Sequence, residues 1–285
     1  MRFILFLFLI PFSTLKAQSI EEDLNQIMSD HDLVGLAVIV SCEGDFLEEY
    51  YGGMQNIDLQ LPLSPDSKYR VASVSKSFTA AGLLKLYDEG QFQLDDDISE
   101  ALGYEVRNPD FPNTPITYRM LLSHTSSLQD GSGYNPFLSA TYNASPLPDI
   151  SEVLLEGGAY FTPNMWRLEE PGSYFAYSNI NYGLIGTLIE THSGQRFDVF
   201  MRENILEPLD ISGSYNILDL PDINDLTVLY RDAVAQVDDF GGTYPDPLVE
   251  DYEPGTNGSL FAPQGGLRCS AAELMRFAHM LLDEG

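Results

Sequence analysis

The sequence is poor in sulfur, in histidine pairs and in positive charge. Cys42 and Cys269 are its two cysteines among 285 residues, too few for a disulfide-stapled scaffold or a thiolate metal cluster. One bridge in an oxidising compartment and two separate buried thiols both fit that count, so pairing stays open. The four histidines, His31, His124, His192 and His279, fall into no HxxxH or HExxH spacing, and no metal site is expected. Lys and Arg number 14 against 43 Asp and Glu, a formal net charge of -29. That excludes a nucleic-acid binder, whose affinity comes from neutralising phosphates, and disfavours anionic membrane surfaces. The excess reads as a solvated acidic coat. The run Asp95-Asp96-Asp97 lacks the spacing of a calcium loop. No GxSxG surrounds any serine, so a nucleophile elbow is missing, and three scattered residues do not make a Ser-His-Asp triad.

Long apolar runs are scarce as well. The one that stands out, Phe3 to Phe12, follows Met1-Arg2 and gives way to Ser13 and the small residues around Lys16-Ala17-Gln18. This order predicts a secretory signal peptide over residues 1–18, cleaved near Ala17 or Gln18. The run is too short to span a bilayer, and no cysteine follows that could carry a lipid. The mature chain is therefore expected to be periplasmic or secreted, without stable membrane insertion. Losing Arg2 and Lys16 moves its charge from -29 to near -31.

What is present is a core-forming chain with 44% hydrophobic residues. Residues 19–30 read as a helix, 33–41 and 46–51 as strands of a hairpin, and a helix starts around Ser73 and stops at Gly90. A short helix is expected through Leu102, and Thr117 reads as the cap of another through Leu122. Residues 126–148 look irregular, rich in Asp, Ser, Asn, Gly and Pro. Helices follow over 150–155, 180–191 (with Gly194 as its stop) and 197–205, then an acidic, loop-rich stretch over 222–258. Ser270 and Glu273 form a capping-box pattern ahead of an amphipathic helix over 271–282.

Two local patterns bear on chemistry. In Ser73-Val74-Ser75-Lys76 the serine stands at a helix start, where unpaired N–H groups can stabilise charge developing near its oxygen. Lys76 lies one turn on, on the same face, and in a partly dry pocket it can accept a proton from Ser73. Ser75 cannot share that face. The plain alternative is a capping serine and a solvated lysine. In Tyr177-Ser178-Asn179, after Pro171-Gly172 and before a helix, the tyrosine can relay a proton and the asparagine can hold a substrate carbonyl or orient the lysine. Here the plain alternative is a packed aromatic and a helix cap.

Together these segments resemble the serine penicillin-recognising enzymes, in particular the class C β-lactamase-like branch with its related D,D-peptidases and esterases. Residues 69–80 (YRVASVSKSFTA) are similar to that family's nucleophile segment, and 121–128 (LLSHTSSL) to its LLxHTSGL stretch, with Ser127 in place of the usual glycine. The Pro-Gly and Tyr-Ser-Asn segment, its continuation through Gly186, and Gly265-Gly266-Leu267 extend the resemblance over residues 20–285. The resemblance implies an α/β (α+β) fold of β-lactamase/transpeptidase type, with an antiparallel sheet flanked by helices and a helical subdomain inserted over roughly 90–215. It implies Ser73 as nucleophile, Lys76 and Tyr177 as its proton-handling partners, Asn179 as a substrate contact, and His124 as structural. No cofactor is implied. The partner is a small-molecule or peptide acyl substrate: an amide, a β-lactam or an ester.

One departure stands out. The family's third motif, KTG or HxG, is not found after Ala271, and the sheet is short of strands. The expectation is a C-terminally truncated domain over 19–285, and a noncatalytic cell-wall-peptide binder or inactive paralogue remains the rival reading.

Overall fold

Ser19 starts the first helix by taking a hydrogen bond from the Glu22 N–H (3.1 Å) while its own N–H donates to the Glu22 carboxylate (3.2 Å). The computed structural model describes residues 19–42, 44–232, 234–236 and 251–283, so the leader expected over 1–18 lies outside the described residues. Helix α1 (Ile20–Asp30) leads to an antiparallel hairpin of β1 (Gly35–Cys42) and β2 (Asp45–Asn56). It is registered from Gly35 opposite Gly53 to Cys42 opposite Asp45, with a bulge at Val40/Ser41. β3 (Leu61–Pro62) adds to the β2 edge.

Further strands come as pairs of two residues. β4 (Tyr69–Arg70) lies antiparallel to a strand nearly two hundred residues on, Arg268–Cys269. Tyr230–Arg231 (β5) and Val234–Ala235 (β6) form a small hairpin inside the acidic stretch, of which residues 237–250 are not described. Every pairing between these strands is antiparallel, and helices flank them. Arg268–Cys269 is numbered β7.

Helix α2 (Ser75–Asp88) is entered through a 3-10 turn, Ala72–Val74, and stops where Gly90 takes a φ of 77°. Its Phe78, Leu83 and Leu86 are buried. It packs against α7 (Ile180–Ser193), which is buried along almost its whole length and ends at Gly194 in the left-handed conformation. The missing side chain at Gly186 lets the 258–263 segment come close: a Cβ there would lie 2.8 Å from Pro263 Cγ. Between them run α3 (Ile98–Leu102), α4 (Tyr118–Leu122, capped by Thr117), α5 (Tyr134–Asn143) and α6 (Ser151–Leu154). After α7, α8 (Phe197–Met201) continues as a π turn over Arg202–Leu206. The last helix is α9 (Ala271–Leu282), whose Ser270–Glu273 capping box forms as expected.

Helix α5 corrects the irregular reading of 126–148. Its polar content hides a stripe of Tyr134, Phe137 and Thr141, all buried and spaced for one helix face. Pro136 falls in the first turn, where its missing N–H costs nothing. The cysteines do not pair: Cys42 is free and exposed, Cys269 free and buried.

A buried ion pair joins distant parts of the fold. Lys68 Nζ donates to Glu273 (2.7 Å) and to Ser212 Oγ (2.8 Å), with Lys68 and Glu273 each 5% exposed. Lys68 precedes β4 and Glu273 follows β7. The pair thus holds those strands together, and with them the turn that carries Ser73.

Candidate active site

Ser73 sits in the middle of the 3-10 turn, exposed, and the residue before it takes a φ of 46°. A left-handed alanine costs on the order of 1–2 kcal/mol, and the surrounding contacts hold it in place. Val71 N–H donates to Leu267 O (3.0 Å) and Leu267 N–H to Ser75 Oγ (3.1 Å), so residues 264–267 run beside the turn. Ser75 is buried and also gives its carbonyl to the Tyr215 hydroxyl (2.8 Å). Of the two serines in the motif, Ser75 is thus built into the core and Ser73 faces out.

Lys76 is buried on the same side of the helix. Its Nζ donates to Asn179 Oδ1 (2.8 Å) and to the Gln264 carbonyl (2.7 Å), and stands 3.4 Å from Ser73 Oγ. The Tyr177 hydroxyl donates to Ser73 Oγ at 2.9 Å. The lysine lies 4.8 Å from the centre of the Tyr177 ring and 5.5 Å from that of Tyr182. The four residues singled out from the sequence, Ser73, Lys76, Tyr177 and Asn179, are therefore one contiguous hydrogen-bonded group.

His124 lies behind the tyrosine. Its ring centroid is 4.6 Å from that of Tyr177, and its Nδ1 accepts the Ser178 N–H (3.2 Å), which leaves the proton of the neutral ring on Nε2. Burial and then the Lys76 ammonium push the imidazole below its ordinary range, with Asp130 partly opposing them. A neutral ring pinned beside Tyr177 supports the tyrosine's placement. Both His124 (φ 56°) and Ser127 (φ 68°) are left-handed. At the position of the family's glycine, the buried Ser127 accepts a hydrogen bond from Asn108 Nδ2 (2.6 Å).

Two further contributors carry no sequence motif. Gln264 acts through its main-chain carbonyl, which no side-chain pattern can announce. Asp130, two residues past the LLSHTSSL segment, accepts hydrogen bonds from Asn179 N–H (2.8 Å), Asn179 Nδ2 (2.8 Å), Ile180 N–H (3.0 Å) and Ser178 Oγ (3.2 Å). Asn179 stands at the cap position of α7, yet its own side chain makes no cap. A cavity of about 810 Å³ elsewhere, lined by residues including His31, Leu33, Tyr69 and Tyr230, does not include the serine group. Among the described residues no cluster of three or more His, Cys, Asp or Glu is placed to hold a metal, and no helix is long and apolar enough to cross a membrane.

The mixed α and β layers that carry this geometry form a β-lactamase/transpeptidase-like fold. The chain belongs to the Beta-lactamase family, whose profile matches residues 20–285. It is 30% identical over 189 residues to Protein flp of Staphylococcus aureus strain MRSA252, covering 64% of this chain and 36% of that protein. It is 27% identical over 267 residues to Penicillin-binding protein 4 of Amycolatopsis lactamdurans, covering 93% of this chain and 64% of that one. In structure it resembles the octameric penicillin-binding protein homologue from Pyrococcus abyssi (TM-score 0.70, 24% identity, 93% of this chain and 56% of that chain). It also resembles a class C β-lactamase (TM-score 0.65, 18% identity, 90% and 62%). The chain thus spans 36% to 64% of the length of these proteins.

Proposed function

We propose that the chain is a serine acyl hydrolase that works through an acyl-enzyme on Ser73. The observation that carries this reading is the convergence of Tyr177 OH (2.9 Å) and Lys76 Nζ (3.4 Å) on one exposed serine oxygen. Once the Lys76 ammonium gives up a proton, its amine keeps two N–H bonds, which Asn179 Oδ1 and the Gln264 carbonyl accept. Its lone pair is then directed at the Ser73 hydroxyl. Ser73 Oγ attacks the acyl carbon and its proton passes to Lys76. The carbon–heteroatom bond breaks, and Tyr177 delivers a proton to the departing nitrogen or oxygen and is reprotonated from Lys76. Water then adds to the ester carbon and gives a proton to the same pair; the bond to Ser73 Oγ breaks, the pair returns that proton to Oγ, and the acid leaves. The Ser73 N–H supplies one donor to the oxyanion. Asn179 Nδ2 keeps one hydrogen for the acyl side of the substrate.

The substrate class follows as an amide, β-lactam or ester. The apolar leader supports a site of action in the periplasm or outside the cell. Intact mass of the protein after exposure to a penicillin and to an activated ester, with Ser73→Ala as control, tests the proposal. An adduct present in the parent and lost in the control supports it. Folded parent protein that takes no adduct from either reagent overturns it in favour of a binding role.

A further inference from the structure

We infer that Asp130 is a positioning residue that sets which end of the Asn179 amide faces Lys76. The inference rests on the reading of Ser73 as nucleophile and concerns a residue that touches none of the reacting atoms. Asp130 comes from the loop after α4, whereas Asn179 and Ile180 start α7. The carboxylate reaches across and meets four donors on three consecutive residues, at 2.8 to 3.2 Å. Two of these donors, the Asn179 and Ile180 N–H groups, stand at the α7 start, where no preceding helical turn supplies a carbonyl to take them. A carboxylate there also suits the positive end of the helix dipole.

The contact that matters for the serine is the one to the side chain. An asparagine amide is nearly symmetric in shape, and its orientation is chosen by its partners. Asp130 Oδ2 accepts only, so it takes Nδ2 (2.8 Å) and turns Oδ1 towards Lys76 Nζ (2.8 Å). With the amide reversed, Nδ2 would approach Nζ as a donor, either opposing an Nζ–H or drawing the amine lone pair away from Ser73. Lys76 would then keep Gln264 as its one carbonyl acceptor, and nothing would fix its lone pair on Ser73. The order Asp130, Asn179, Lys76, Ser73 is thus a chain of hydrogen bonds with a fixed sense.

Asp130→Asn separates this role from simple helix capping. The substituted amide can still accept the α7 N–H groups through its oxygen, but it presents an NH₂ donor where Oδ2 stood, which reverses Asn179. Asp130→Ala removes both roles. The assay is single-turnover acylation by an activated ester, read by intact mass as a rate constant and as the fraction of sites modified, together with the thermal midpoint. The expected result is that Asp130→Asn keeps the midpoint within a few degrees and the full modified fraction, yet acylates at least tenfold more slowly, as slowly as Asp130→Ala. An Asp130→Asn protein that acylates at the parent rate overturns the inference and leaves the proposed function standing. A loss confined to the modified fraction, with the rate constant unchanged, reduces Asp130 to a structural cap and overturns it too. Parent protein without an adduct overturns the proposed function and this inference with it.

Discussion

Replacing Glu273 by alanine should be among the most damaging single changes in the chain, and its cost can be worked from the contacts it breaks. Glu273 Oε1 accepts from Lys68 Nζ (2.7 Å), Ser212 N–H (2.7 Å) and Ser212 Oγ (2.6 Å), and Oε2 accepts the Ser270 N–H (2.7 Å). Alanine leaves the Lys68 ammonium with one hydroxyl partner in a site that is 5% exposed. Breaking a buried pair from one side costs about 3–5 kcal/mol, a large share of the roughly 5–15 kcal/mol that holds a domain together. Lys68→Met added to Glu273→Ala removes the stranded charge, so the pair should couple by about 1–3 kcal/mol and the double variant should be more stable than additivity predicts. Urea unfolding of the parent, both single variants and the double variant measures this. A Glu273→Ala cost under about 1 kcal/mol, or strict additivity in the cycle, would refute the argument. The same pair predicts a pH window. Burial raises the Glu273 carboxyl, but the bonds from Lys68, Ser212 and Ser270 outweigh it and hold the group below its ordinary value. Its contribution is present above the unfolded value of about 4.3 and is lost as pH falls through the lower folded value. That acid loss should be absent from Glu273→Ala.

Two other predictions concern local features. Burial holds His192 below the ordinary imidazole range, with Tyr118 OH 2.7 Å from its Nε2. The unfolded chain then binds more protons, so this residue removes stability as pH falls through about 6.5. Glu190, pushed up to about 7 by burial, acts in the opposite sense. The test is therefore a difference: thermal melts of His192→Gln should lose less stability than the parent between about pH 7.5 and 5.5, one unit either side of the histidine value. At Ser127, glycine relieves a φ of 68° while alanine keeps it, and both lose the Asn108 bond. Chemical denaturation should rank Ser127→Gly above Ser127→Ala by about 1 kcal/mol; the reverse order would show that the backbone there carries no strain.

How much of the molecule is legible in its sequence depends on how far each signal reaches along the chain. Ser19 with Glu22, Ser270 with Glu273, and the stops at Gly90 and Gly194 are decided within a turn or two, and each boundary falls where that local signal puts it. The serine group is legible because its members belong to short motifs with chemically distinctive residues, although only the fold brings Tyr177 to Ser73. The β4–β7 pairing is not legible. Two-residue strands have no periodicity, and their partners are almost two hundred residues apart. Helix α5 is hidden because Asn135, Ser139 and Asn143 equal in number the three side chains, Tyr134, Phe137 and Thr141, that bury its face. Helix α7 shows the converse: its ends are clear, but with nearly every residue buried no apolar stripe can indicate which side meets α2. Asp130 makes no motif of its own, and its role depends on a helix start about fifty residues later.

The unequal cysteines give the fold a built-in clock. Cys42 lies exposed at the end of β1, within direct reach of a thiol reagent. Cys269 lies in β7, its thiol pushed up to about 12 by burial, and separation of β4 from β7 would expose it. That separation also uncouples the turn bearing Ser73 from the segment bearing Gln264. The slow phase of thiol labelling therefore counts the openings that dismantle the serine group, with no substrate, inhibitor or added probe position required.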